Sequence, residues 1–235
     1  MPNKSKGGTR PTTIKDAKEL GLLPSVTGIT GIISKPQLEK WKMTQACMAV
    51  LTSPRKEGED LDKFMERVLF QDEEHKAEAA AAADRGNAIH DAIAKAIKGE
   101  DFEEQWKPYV EAVFPHIKVL GKAAWTERVL VNAEAGYAGR ADIGIETELH
   151  EVILDFKTTK TIPKEAYDEH RCQVAAYCKA RGNIADRHLL CGVLYISTTE
   201  PGKTNMCLIE NWEADYEDGF KPMLKVWQYL KGYRP

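Results

Sequence analysis

Long apolar runs are missing from this chain. None of its 235 residues falls in a stretch approaching the roughly 18 consecutive apolar side chains that would cross a bilayer. Its first ten residues, MPNKSKGGTR, are polar and basic rather than signal-like. These absences lead us to expect a cytoplasmic protein with no membrane partner. A one-sided charge is missing too. Lys and Arg number 33 against 36 Asp and Glu, a net of -3, which argues against a protein that wraps polyanions through bulk charge. Paired cysteines are absent as well. Cys47, Cys172, Cys178, Cys191 and Cys207 form no CxxC, and the last four are spaced by 6, 13 and 16 residues, unlike a zinc ribbon or a ferredoxin. An odd count argues against a disulfide framework, so the thiols are expected as small core residues.

What is there is a chain long enough for one domain that buries roughly 70% of its unfolded surface. Eight of the first 42 residues are Lys or Arg and three are Asp or Glu, a local surplus of +5. We read residues 1–22 as a flexible basic arm and 23–235 as a single domain, mainly helical over 23–120 and sheet-containing over 121–235. Residues 23–33, LPSVTGITGII, read as a short strand or turn. Ser34 and Pro36 open a helix that runs to Thr52. Leu61, Phe64, Met65, Val68 and Leu69 mark a helical face in an acidic segment. An Ala-rich helix follows over 72–98, stopped by Gly99, with His90 at the edge of an Ile89, Ile93, Ile97 stripe. Another helix is expected from Asp101, kinked or ended by Pro115. The period then changes. Residues 125–132, 137–146 and 151–158 read as three short strands in an antiparallel meander. A helix over 165–180, strands over 189–196 and 204–210, and a closing helix from Trp212 complete an α/β fold with an α+β tendency.

The strand Val152-Ile153-Leu154-Asp155-Phe156-Lys157-Thr158 is where chemistry concentrates. Period two puts Asp155 and Lys157 on one face, with Leu154 and Phe156 on the other. Burying a carboxylate and an ammonium in such a strand is costly unless they are paired or metal-bound. Asp142, in GYAGRADI on the preceding strand, would come beside Asp155 in a hairpin-like return. Two adjacent carboxylates repel, and a divalent cation compensates them. Mg²⁺ takes hard oxygen ligands from one or two carboxylates, and a neighbouring lysine can orient or deprotonate a metal-bound water. The set suits phosphodiester hydrolysis; taken alone, D-x-K also suits a cross-strand salt bridge. Glu127 shares the strand parity of Trp125 and Val129 and could reach the same face. Gln173 and Tyr177 lie four apart on one helix face.

GRAD around Asp142, ILDFKTT over 153–159 and QVAAY over 173–177 resemble the PD-(D/E)xK nuclease superfamily. The closer likeness is to its RecB-like exonuclease branch, similar to phage-encoded and mitochondrial genome-maintenance exonucleases. RGNAIH supplies Gly86 and His90, and TERVL supplies Glu127, in the order of that branch. The likeness spans about residues 85 to 180. It implies a restriction-endonuclease-like core with a central mixed sheet flanked by helices. It also implies Mg²⁺, replaceable by Mn²⁺, held by Asp142, Asp155 and the Phe156 backbone carbonyl, with His90 on the metal side. Lys157 would be the catalytic lysine, Glu127 a site-lining acid, and Gln173 and Tyr177 the branch's helix motif. No iron–sulfur cluster is expected, since the cysteine layout differs. The N-terminal SVT segment resembles one in some of these exonucleases, which makes Ser25, Thr27, Lys35 and Lys42 candidate nucleic-acid contacts. Arg140 and Lys160 join them at the site rim, and Tyr177, which could also brace the site, is a further candidate contact.

The expected activity is a metal-dependent DNA exonuclease in recombination, repair or replication. It would act on single strands or duplex ends, with a single-strand annealing or binding protein as a conceivable partner. A nicking or structure-specific endonuclease and a catalytically silent nucleic-acid-binding protein are the alternatives. Trp41, Trp106 and Tyr109 are candidate stacking rings, and core duty explains them equally well.

Overall fold

The computed structural model describes residues 4–5, 8–9, 12–34, 36–70, 73–182 and 187–235. Two compact units emerge, residues 34–88 and the remainder of the chain. The larger unit is built on a five-stranded sheet in the order β3-β4-β5-β6-β7. Its strands are β3 (Lys122–Asn132), β4 (Tyr137–Glu146), β5 (His150–Thr159), β6 (His188–Ser197) and β7 (Thr204–Ile209). β3, β4 and β5 pair antiparallel as the expected meander, β5 and β6 pair parallel, and β6 and β7 antiparallel. The parallel step requires a crossover, which α7 (Asp168–Arg181) supplies. The fold is therefore α/β with a mixed sheet flanked by helices, as the alternating and helical periods led us to expect. Among the described residues no helix is long and apolar enough to cross a membrane.

Both faces of the sheet are covered, which is why β5 and β6 read as nearly continuous apolar runs. On one face Tyr137, Ala141, Ile153, Val193 and Tyr195 pack with α7 and with Phe220, Leu224 and Trp227 of the C-terminal segment. That segment comprises α8 (Trp212–Ala214), a π-helical turn over Asp215–Phe220 and α9 (Lys221–Lys231). On the other face Ile143, Ile145, Val152, Leu154, Phe156 and Leu194 meet Ile89 and Ile93 of α5 (Glu73–Lys98) and Val110 and Val113 of α6 (Lys107–Leu120). Each such buried aliphatic side chain contributes about 1.5–3 kcal/mol.

Three local expectations are corrected. Residues 26–30, read as strand or turn, form α2 (Val26–Thr30), because Ser25 Oγ accepts the Gly28 N–H at 3.0 Å and starts a helical turn despite the β-branched residues. Pro115 does not end its helix. α6 runs on to Leu120, where burial of Val113 and Ile117 outweighs the missing hydrogen bond. The stretch expected as an arm holds two short strands, β1 (Lys4–Ser5) and β2 (Gly8–Thr9), and then α1 (Ile14–Leu20). α1 begins in a Thr13–Asp16 capping box, and Ala17 and Leu22 carbonyls share the Tyr233 hydroxyl at 3.0 Å. In the smaller unit α3 (Pro36–Thr52) packs on α4 (Leu61–Phe70), and Arg67 clamps Glu59 through two 2.8 Å bonds.

Candidate active site

β4 and β5 part beyond Ile143, and the candidate residues gather there. β4 and β5 pair only from Ile143↔Leu154 to Glu146↔Glu151. One step further would set Asp142 opposite Asp155, and there backbone pairing stops. Instead the Asp142 side chain enters the gap, and its Oδ2 accepts the Phe156 N–H at 2.6 Å. N–H and C=O of a strand residue share one edge, so the Phe156 carbonyl opens into the same gap.

The hairpin partner strand is irregular at the same level. Pairs run Thr126↔Ile143 and Arg128↔Ala141, which leaves Glu127 facing Asp142. Glu127 has φ of 51°, left-handed, the only non-glycine so placed among the described residues. Both strands change phase here. Trp125 and Leu130 of β3 pack toward α7, as do Tyr137 and Ala141 of β4, whereas Ile143 and Ile145 face α5 and α6. The expected parity of Trp125, Glu127 and Val129 is therefore broken, and Val129 is exposed. Both Glu127 and Asp142 escape the alternation that would otherwise bury or expose them in step with their neighbours.

Asp155 and Lys157 do share a face, as period two requires, and Asp155 is buried. Gln173 on α7 donates Nε2 to Asp155 Oδ1 at 3.0 Å, and the Tyr177 hydroxyl stands 2.7 Å from the same nitrogen. Lys157 Nζ lies 2.5 Å from Asp155 Oδ2, close enough for an ion pair. Apart from that ion pair, this buried oxygen accepts no hydrogen bond. Glu151 on the same strand is the instructive contrast. It is equally buried, yet Arg181 and Trp125 satisfy both its oxygens at 3.0–3.1 Å. Glu151 is a finished structural carboxylate, and Asp155 is not. Burial and the neighbouring Asp142 charge push Asp155 up to about 6, against the opposing pull of Lys157.

His90 reaches the gap from the opposite face. Its Nδ1 is 3.5 Å from Asp142 Oδ2, and its ring meets Phe156 edge-on at 5.9 Å. Burial opposes a charge on His90, but Asp142 and Asp155 outweigh it and raise the pKa. Glu127 is raised by burial and then by Asp142; its carboxylate pairs with Arg140 at 3.0 Å. Arg140 and Lys160 are exposed at the rim.

Other candidates fare differently. Tyr177, a candidate nucleic-acid contact, is corrected to a buried residue: it is 1% exposed, and its hydroxyl braces Gln173. Ser25 is engaged as the α2 cap, with Thr27 exposed beside it. Lys42 pairs with Glu39 in the smaller unit, and Lys35 lies outside the described residues. Trp106 and Tyr109 pack in the core face of α5 and α6, while Trp41 is exposed.

A pair of carboxylates, one of them with an under-satisfied buried oxygen, and a backbone carbonyl fit a hard divalent cation that keeps several waters. No cluster of three His, Cys, Asp or Glu groups arranged as a metal cage is present among the described residues. No family model matches the chain, and no curated protein matches it. Among solved structures it is similar to a Eubacterium rectale protein provisionally named an exonuclease, at 12% identity and TM-score 0.46, covering 97% of this chain and 89% of that one. It is also similar to SSO0001, at 14% identity and TM-score 0.38, covering 82% and 85%.

Proposed function

We propose that the chain is a divalent-metal-dependent deoxyribonuclease of the PD-(D/E)xK superfamily, RecB-like branch, degrading DNA from an end. One observation carries the reading. Asp155 is buried with an oxygen lacking a directed donor, in a gap shared with Asp142 and flanked by Lys157 on the same strand face. A purely structural acid at this depth would be satisfied, as Glu151 is.

Asp142, Asp155 and the Phe156 carbonyl would hold the cation, with Mg²⁺ or Mn²⁺ as the hard ions these oxygens suit. Such an ion supplies charge against the phosphate and lowers the pKa of a bound water. The remaining work falls to the chain. Lys157 orients the attacking water and, once its own ammonium has released a proton to solvent, takes up the water's. Gln173 fixes the Oδ1 side of Asp155, and Tyr177 fixes Gln173. His90 positions Asp142 from the opposite face, and Glu127 with Arg140 lines the β3–β4 side. Arg140 and Lys160 offer cations to neighbouring phosphates.

The test is a time course on end-labelled linear DNA and on closed circular single strands, with Mg²⁺, with Mn²⁺ and with chelator. Progressive loss of the linear substrate while circles survive is expected. Lys157→Ala should lower turnover by about a thousandfold while retaining DNA binding. Cut circles would replace this reading with an endonuclease, and binding without cleavage under either metal would replace it with a nucleic-acid-binding protein.

A further inference from the structure

On the flank of the site away from β4, an aromatic ring is held rigidly in a solvent-facing position. Lys157 of β5 is the parallel register partner of Tyr195 on β6, about 4.8 Å away across the ladder. Tyr195 is buried, and its hydroxyl is a junction: it accepts the Tyr167 N–H at 3.1 Å and lies 2.7 Å from His170 Nδ1. The Tyr167 ring stands edge-on to Tyr195 at 6.0 Å and to His170 at 5.6 Å. It is nonetheless 46% exposed, unlike Tyr137, Tyr177 and Tyr195, which the core buries almost completely.

The loop over 160–167 that carries it is pinned from β7 and from the turn between β6 and β7. Thr199 Oγ1 donates to the Lys160 carbonyl at 3.0 Å, and Asn205 Nδ2 donates to the Pro163 and Lys164 carbonyls at 2.9 and 3.2 Å. Lys160 and Lys164 are exposed on this same loop. A half-exposed ring packed on the Tyr195 that pairs in register with Lys157, on a loop that also carries Lys160 and Lys164, is what a nucleotide next to a cleaved phosphate would meet. Duplex bases hide their faces in the stack, whereas an unpaired base offers its face to such a ring.

We infer that Tyr167 is a stacking platform for an unpaired base next to the scissile phosphate, with Tyr195 and His170 as its positioning residues. The substrate is then single-stranded where it crosses the site; this rests on the nuclease reading above.

Binding of a labelled oligothymidine, followed by anisotropy with Ca²⁺ in place of Mg²⁺, tests it. Tyr167→Ala should weaken binding about tenfold, and Tyr167→Trp should preserve it. Oligonucleotides with one abasic position, moved stepwise along the strand, add a readout that a structural role would not give. One position should cost the wild type about tenfold and cost Tyr167→Ala nothing further. Tyr195→Phe keeps the ring, and its effect should follow the same abasic position. Unchanged binding by Tyr167→Ala, or a loss that no abasic position accounts for, overturns the inference, as does an equal loss on blunt duplex. If wild type cleaves single strands while Tyr167→Ala binds normally, only the stacking role falls. If wild type neither binds nor cleaves DNA, the nuclease reading falls with it.

Discussion

Asp155 is held in the folded chain at a cost, and that cost has a sign. Its carboxyl is raised from an ordinary 3.8 to about 6, so the folded state binds its proton more tightly than the unfolded chain does. Below about pH 4 both states are protonated and the group is neutral in its effect. As pH rises from there to about 6 the folded state loses ground, and above 6 the penalty is constant, on the order of 3 kcal/mol. Asp155→Asn keeps an acceptor for Gln173 and removes the charge. In chelator at pH 8 it should melt higher than wild type, with the difference vanishing near pH 4. Millimolar Mn²⁺ should raise the melting temperature of wild type and leave the variant unmoved. A variant no more stable than wild type at pH 8 would contradict this account.

Among the elements, β5 was the most legible, because period two is hard-wired into an extended chain and the two charged residues declare their shared face. The helix pair Gln173 and Tyr177 was legible in position but not in depth. Four-residue spacing gives a common face and does not say whether that face is wet, so Tyr177 reads equally as a brace and as a nucleic-acid contact, and its burial leaves the brace. α2 was misread because a serine cap acts through one hydrogen bond, whereas the β-branched residues after it are conspicuous. The left-handed turn at Glu127 left no trace at all, since no glycine or asparagine marks it. The glycine of GRAD, by contrast, has a reason now visible. A Cβ on Gly139 would stand 2.5 Å from Tyr177 Cε1 and 2.9 Å from Val26 Cγ2. Gly139→Ala should therefore cost about 1–3 kcal/mol in chemical denaturation and tilt α7, weakening cleavage through Gln173 rather than through any direct contact. Stability equal to wild type would show that α2 and α7 can give way there.

Across the larger unit, the sheet and its two helical layers were readable in order because hydrophobic period carries that information over many residues. The site was readable only as residue types in sequence. What assembled it, the parting of β4 from β5 and the matched irregularity on β3, is a property of pairs of strands and has no single-strand signature. That irregularity has a further consequence. Removing Glu127 alone would put Trp125 and Leu130 in step on one side of a regular β3, and removing Asp142 alone would make Ala141 and Ile143 direct neighbours on β4, which regular alternation sends to the opposite faces they already occupy. The two acids thus behave as one extra residue spliced into each strand of an otherwise ordinary hairpin. A chain lacking both should fold with its sheet intact and without the left-handed residue, gaining about 1 kcal/mol from that relief, and should be catalytically dead. In comparing distant chains by sequence, a gap opened in step on both strands at this level, rather than in the loop between them, is the one that keeps the core aligned.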